Sequence, residues 1–177
     1  MAKKTLEFLS KDEVQTIHST SLKVLEEIGI QIDNENVLAI LAEAGVNVDY
    51  KKKLVCIPES LVQEALKKVP SGFKLYSLDG KQELSFTRDN VYFNPGSTAL
   101  YMLDRETMTM RRPTSKDLID FVRLTDALQY IHAQSTAMVV SDVPDAIVDR
   151  FRFYLILKNS MKPIIAGAFS IDGFYDM

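Results

Sequence analysis

The chain has 177 residues, 46% of them hydrophobic and 25% charged, and a net charge of −3. That is the composition of an ordinary globular protein, and its slight negative balance gives no electrostatic reason to expect nucleic acid or an anionic membrane as a partner. The single cysteine, Cys56, excludes an internal disulfide and a cysteine-rich metal site, and no apolar run approaches the ~20 residues of a membrane helix. Met1-Ala2-Lys3-Lys4-Thr5 is basic but has no long apolar segment behind it. No signal peptide is read there, and a cytoplasmic location is expected.

In chain order, Ser10-Lys11-Asp12-Glu13 is a capping box that opens a first helix. Val14, Ile17, Ser21, Leu25 and Ile28 follow at helical spacing, and Gly29 stops it. A second helix is expected over about 36–44. Val46–Asp49 and Leu54–Ile57 then read as a hairpin across a solvated turn, Tyr50-Lys51-Lys52-Lys53. Cys56, inside that second strand, reads as a buried inert thiol. Pro58 suits the first position of a third helix, with Leu61, Val62, Ala65, Leu66 and Val69 on its buried face. Residues 73–76 and 83–86 alternate around Asp79-Gly80, a strong hairpin signal.

The pattern then changes. Val91-Tyr92-Phe93 reads as the first strand of an α/β sheet or barrel, ended by the loop Asn94-Pro95-Gly96-Ser97-Thr98. Pro95 pushes Asn94 to extended geometry, and Gly96 permits a backbone conformation that a side chain would block. A further hairpin, 99–103 with 107–111, is inserted next. It is followed by a helix opened by Thr114-Ser115-Lys116-Asp117, a strand over 130–140, a helix opened by Pro144-Asp145, a strand over 162–168 and the cap of another helix at Ser170. The predicted fold class is thus α/β: residues 1–89 a helical and β-hairpin region, and 90–177 the first β-α-β-α-β units of an incomplete TIM barrel. An α/β unit stopping after three strands leaves a sheet edge uncovered, so the chain is expected to be part of a longer or split protein and inactive alone, or else completed by oligomerisation.

In such folds ligands sit at the carboxyl ends of the strands. That makes Asn94, Gly96, Ser97 and Thr98 candidates, with Ala168 at the end of the third strand. Along 130–140, His132, Gln134, Thr136 and Met138 share one face, expected to look into the barrel, while Ile131, Ala133, Ser135 and Ala137 are expected to meet the helices. Gln134 and Thr136 could then face a ligand or form a buried hydrogen-bond network. His132, nearer the strand's start, is the weaker candidate. Asp142 at the rim could meet a cationic substrate or cap the helix after Pro144. Arg105, Arg111, Arg112 and Lys116 form a basic cluster, read as solvated charge. No phosphate-binding glycine loop, His-x-x-x-His, nucleophile elbow or cysteine pair is present, and no metal site is expected.

The ordered set Asn94-Pro95-Gly96-Ser97-Thr98-Ala99, the Asp104 turn, Arg112-Pro113-Thr114 with Asp117-Leu118, Asp142-Val143-Pro144 and Lys162-Pro163-Ile164, together with the capped helix from Leu9-Ser10 to Gly29-Ile30, resembles the trimethylamine methyltransferase (MttB) family. The resemblance covers nearly the whole chain. It implies a TIM barrel with an added amino-terminal region, and transfer of a methyl group from a tertiary or quaternary methylamine, such as trimethylamine or a betaine, to the reduced cobalt of a corrinoid protein. That chemistry belongs to one-carbon metabolism and methanogenesis. The cobalamin is carried by the partner protein and not bound directly, and a homo-oligomer is expected. Family members with and without pyrrolysine exist, and the position that distinguishes them lies beyond residue 177. On this reading the small residues Gly96, Ser97 and Ala168 let a bulky corrin approach, and Asp142 or Gln134 positions the amine. The competing readings are another TIM-barrel enzyme, such as a lyase, and a non-catalytic truncated or split chain that acts as a binding module.

Overall fold

The computed structural model describes residues 8–87 and 90–177. The basic stretch Met1–Thr5 lies outside the described residues, as do Arg88 and Asp89 at the expected domain boundary. The chain divides into two compact units, Met1–Pro70 and Ser71–Met177, so the hairpin at 73–86 goes with the second.

In the first unit, α1 (Lys11–Lys23) starts at the expected capping box: Ser10 Oγ accepts from Glu13 N, and Glu13 Oε2 accepts from Ser10 N at 2.7 Å. These bonds to the ionised form hold the Glu13 carboxyl below its usual range. The helix widens into a π-helical turn at Val24–Ile28 and ends at Gly29, φ 80°. β1 (Ile30–Gln31), α2 (Glu35–Glu43), β2 (Asn47–Asp49), β3 (Leu54–Cys56) and α3 (Glu59–Lys68) follow. The sheet order is β1-β3-β2, all antiparallel, with Val55 facing both Ile30 and Val48. Val55, Leu38 and Val46 form its core. The lysine run is a solvated turn, as expected: Asp49 Oδ1 accepts from Lys51 N and Lys52 N, and Lys53 Nζ pairs with Asp33. Pro58 caps α3 from one position earlier than expected. Cys56 is a free, half-buried thiol.

The second unit opens with the antiparallel hairpin β4 (Phe73–Tyr76) and β5 (Glu83–Phe86), in register Phe73 to Phe86. β6 (Met102–Leu103) and β7 (Met110–Arg111) make the inserted hairpin. Then come α4 (Ser115–Ala127), β8 (Gln134–Ser135), a 3-10 turn at Asp145–Ile147, α5 (Val148–Asn159), β9 (Ile164–Ile165) and α6 (Ile171–Asp176). β8 pairs in parallel with β9, and Ala99 bridges Met138 in parallel. Three extended segments therefore lie side by side in chain order. Leu118 and Val122 of α4, Met138 and Val140, and Leu155 and Ile156 of α5 share one apolar core.

The architecture is mixed α/β with small sheets, and no sheet among the described residues closes into a barrel. The expected strands are also shorter than read. Val91–Phe93 is not a ladder strand: His132 N reaches Phe93 O at 2.9 Å, and regular pairing then lapses until Ala99. The cause is local. Pro95 has no N–H, and the N–H of Gly96 turns inward to Asn94 Oδ1 at 2.9 Å. The strand expected over 130–140 narrows to Gln134–Ser135, because Ala137 adopts φ 41° in a three-residue turn closed by Met138 N to Thr136 O at 2.6 Å. With that neighbour bent away, the strand expected over 162–168 pairs only at Ile164–Ile165.

Candidate functional site

The two ends of the parallel segments differ in chemistry. At the amino end, His132 lies in an aromatic stack. Its ring is 5.3 Å from Tyr92 and 6.2 Å from Phe93, and Tyr92 continues to Phe86 and Phe73. Its Nδ1 accepts from Phe93 N at 3.1 Å, so the imidazole holds the first two segments together. The β4–β5 hairpin lies at this end, with Leu78 N on Met161 O and Gln82 Nε2 on His132 O. Lys162 reaches the last turn of α4 and the residues after it, its Nζ donating to the carbonyls of Thr125, Leu128 and Ile131 at 2.6–2.8 Å. A cation there complements the helix dipole, though burial lowers its pKa below the ordinary lysine value.

The carboxyl end carries the candidate loop. Asn94, Gly96, Ser97 and Thr98 are all exposed, and Gly96 has φ 80° with open space where a Cβ would stand. Ser135 Oγ donates to Gly96 O, and Thr136 Oγ1 lies 3.4 Å from Ser97 O, so both β8-side hydroxyls are turned to the loop's backbone. Ala168 is half-buried beside an open cleft of about 540 Å³ that also involves Gly167, Phe169, Ser170 and Phe174. Gly96, Ser97, Ser135 and Thr136 thus come together, and Phe169, next to Ala168, is joined to Ser97 through the Arg152 side chain to make one rim.

Two candidates lie elsewhere. Gln134 was expected to look away from the helices. Instead it is fully buried against α4, with Oε1 accepting from Thr125 Oγ1 and Nε2 donating to Val122 O, both at 3.0 Å. Met138, on the same expected face, is in the α4–α5 core. Gln134 turns this way because α4 offers a hydroxyl and a carbonyl that satisfy the amide, and a satisfied amide is cheap to bury, while Ala137, from the face expected to meet the helices, does lie in the α4–α5 core. Asp142 caps α4, not the helix after Pro144: its Oδ1 accepts from Ser115 N at 2.9 Å and Ser115 Oγ at 2.8 Å. Part of the basic cluster is absorbed too, with Arg111 held by Asp104 and Asp117 and Lys116 paired with Asp120.

Sequence reasoning missed the buried pair beneath the rim. Arg152 of α5 has no exposed surface. Its Nη2 donates to Asp149 Oδ1 at 3.0 Å, and its Nη1 reaches Ser97 O at 3.2 Å and Met138 O at 3.3 Å. The guanidinium carbon sits 4.6 Å from the centre of the Phe169 ring. Asp149 Oδ2 accepts from Phe169 N and Ser170 N. Burial lowers the Arg152 pKa, against the opposing pull of Asp149. The available signal was the Asp-x-x-Arg spacing inside the apolar run Val148, Phe151, Leu155, which puts both charges on the helix's inner face.

Among the described residues, no three His, Cys, Asp or Glu side chains cluster as a metal-binding group, and no helix is long and apolar enough to cross a membrane.

A sequence model of the family described as "Trimethylamine methyltransferase (MTTB)" matches residues 2–173. The chain is 30% identical over 161 residues to a "Glycine betaine methyltransferase" of Desulfitobacterium hafniense (strain Y51), covering 90% of this chain and 33% of that protein. It is 28% identical over 158 residues to a "Trimethylamine methyltransferase MttB" of Desulfitobacterium hafniense (strain DSM 10664 / DCB-2), covering 89% and 32%. It is 29% identical over 167 residues to an "L-carnitine:corrinoid methyltransferase" of Eubacterium limosum, covering 91% and 33%. The chain spans about a third of the length of these curated relatives. With a match running from its second residue almost to its end, the chain belongs to the trimethylamine methyltransferase (MTTB) family.

Proposed function

We propose that this chain is the amino-terminal part of a corrinoid-dependent methyltransferase, which takes a methyl group from a tertiary or quaternary methylamine and gives it to the cobalt of a partner corrinoid protein. The observation that carries this reading is the family match over residues 2–173, joined by relatives named for glycine betaine, trimethylamine and L-carnitine. In this reading the three side-by-side parallel segments begin a TIM barrel, and the loop Asn94–Thr98 forms part of its catalytic rim.

The residues present suit a corrinoid that arrives on another protein. The rim offers the Asn94 amide and the Ser97 and Thr98 hydroxyls, with open space at Gly96 and Gly167, so a wide, amide-edged macrocycle meets no steric block at these two glycines. His132 is at the opposite end of the segments, with its Nδ1 accepting from Phe93 N. Gly96, Ser97 and Thr98 would face the corrin edge. The corrinoid supplies a cobalt nucleophile. The protein's task is to hold the substrate so that its C–N bond breaks in line, with the bonding electrons staying on nitrogen; a quaternary ammonium, or a tertiary amine that carries its proton, then leaves as a neutral amine, which is work for positioning more than for an acid or base.

The test is to incubate the full-length protein and a reduced corrinoid protein with glycine betaine, L-carnitine and trimethylamine in turn, and to measure the demethylated amine. Product from one of them, dependent on both proteins, is expected. Substrate turnover that needs a divalent metal and no corrinoid protein would favour the lyase-type alternative.

A further inference from the structure

Arg152 is costly where it stands. A buried ion pair generally stabilises a fold less than apolar side chains of the same volume. Its Nε also has no acceptor among the described residues, a penalty an apolar residue would avoid. What an apolar residue would not do is hold backbone carbonyls at two separate segment ends while packing on an aromatic ring after a third. Nη1 reaches Ser97 O in the candidate loop and Met138 O just past the turn at Ala137, and the guanidinium lies against Phe169 after the third extended segment. Asp149 completes the set by holding the N–H groups of Phe169 and Ser170, where α6 begins. The fit on that side is close, since a Cβ at Gly173 would come within 2.8 Å of Asp149 Oδ2. The turn that Arg152 anchors contains a non-glycine residue at φ 41°, a conformation that persists only when its surroundings fix it.

We infer that Arg152, held by Asp149, is a positioning residue for the candidate site: it locks the loop Asn94–Thr98, the Ala137 turn and the Phe169–Ser170 turn into one rigid rim that presents the amine to the methyl acceptor. What the rim does rests on the methyl-transfer reading; that it is locked does not.

The experiment compares Arg152→Lys and Leu155→Ala in the full-length protein. Leu155 is a buried apolar residue on the same helix and serves as the control for plain core damage. Lysine keeps a cation for Asp149 but has no fork to reach two carbonyls as well. Amide hydrogen exchange at 94–99 and 168–173 should speed up about tenfold or more in Arg152→Lys while α4 stays within about twofold, and the KM for the amine should rise about tenfold. Leu155→Ala should raise exchange evenly across the α4–α5 core. If Arg152→Lys fails to fold, Asp149→Asn, which keeps shape and weakens the same anchor, should give the same local signature. An Arg152→Lys or Asp149→Asn pattern indistinguishable from that of Leu155→Ala, or unchanged exchange at 94–99, overturns the inference. If the wild-type protein demethylates no amine, the methyl-transfer reading fails, and the exchange pattern still decides the inference.

Discussion

Asp117 meets Arg111 through two parallel hydrogen bonds, Oδ2 to Nη1 at 2.7 Å and Oδ1 to Nη2 at 2.8 Å. The same carboxylate accepts from Thr114 N and Thr114 Oγ1, closing the capping box of α4, while Asp104 takes Arg111 Nε at 2.7 Å. One guanidinium therefore ties the β6–β7 hairpin to the start of the helix that follows it.

This arrangement should show in acid. The Arg111 guanidinium holds the Asp104 carboxyl down to about 2 and the Asp117 carboxyl well below the usual range. Both folded-state values are depressed, so their stabilisation is complete above the ordinary carboxylate pKa and is lost as pH falls through the folded values. Replacing Asp117 by Asn should cost about 1–2 kcal/mol at neutral pH, measured by denaturant unfolding. That difference should hold down to about pH 5 and shrink steadily below about pH 4.

Gln134 should behave as a core residue. Gln134→Ala leaves a cavity and removes the amide from Val122 O and Thr125 Oγ1, and should lower stability by about 2–4 kcal/mol. Gln134→Leu should recover most of that loss. In the folded full-length protein either variant should leave the amine KM within about twofold. A stable Gln134→Leu protein that no longer binds amine would restore the substrate-facing role.

Gly29 is irreplaceable on two counts. Its φ of 80° with ψ of −177° is a conformation essentially reserved for glycine, and a Cβ would stand 2.6 Å from Val55 O. Gly29→Ala should destabilise the first unit by about 3 kcal/mol or more. Hydrogen exchange should report the loss at β1 and β3.

Asn94 should matter to activity more than to stability. Its Oδ1 accepts from Gly96 N on an exposed loop, so Asn94→Ala should change unfolding by less than about 1 kcal/mol. By freeing the loop it should slow methyl transfer about tenfold or more in the full-length protein. Unchanged transfer would remove Asn94 from the site.

Elements with local chemical signals were legible in the sequence. Ser10 with Glu13, Thr114 with Asp117, and Asp79-Gly80 between alternating runs each announce an end or a turn that neighbouring residues alone decide. What depended on distant partners was not. β1 is two residues long and exists only because β3 lies beside it. The direction of Gln134 was set by what α4 presents, and the short pairing of β8 by the turn at Ala137, which no glycine or proline marks. At the rim, the loop Asn94–Thr98 was readable from Pro95 and Gly96. Its anchor was not, because Arg152 is 55 residues away from Ser97 in the chain and looks like an ordinary helix charge.

The most direct measurement follows the methyl group itself. Glycine betaine, L-carnitine and trimethylamine carrying carbon-13 methyl groups are each incubated with the full-length protein and a reduced corrinoid protein, and the corrinoid is extracted in the dark for mass spectrometry. The account predicts that one of these amines places a single labelled methyl on the corrinoid in equal amount to the demethylated amine released, and that omitting the full-length protein abolishes both. Demethylated amine without label on the corrinoid, or no transfer from any of the three, would contradict it.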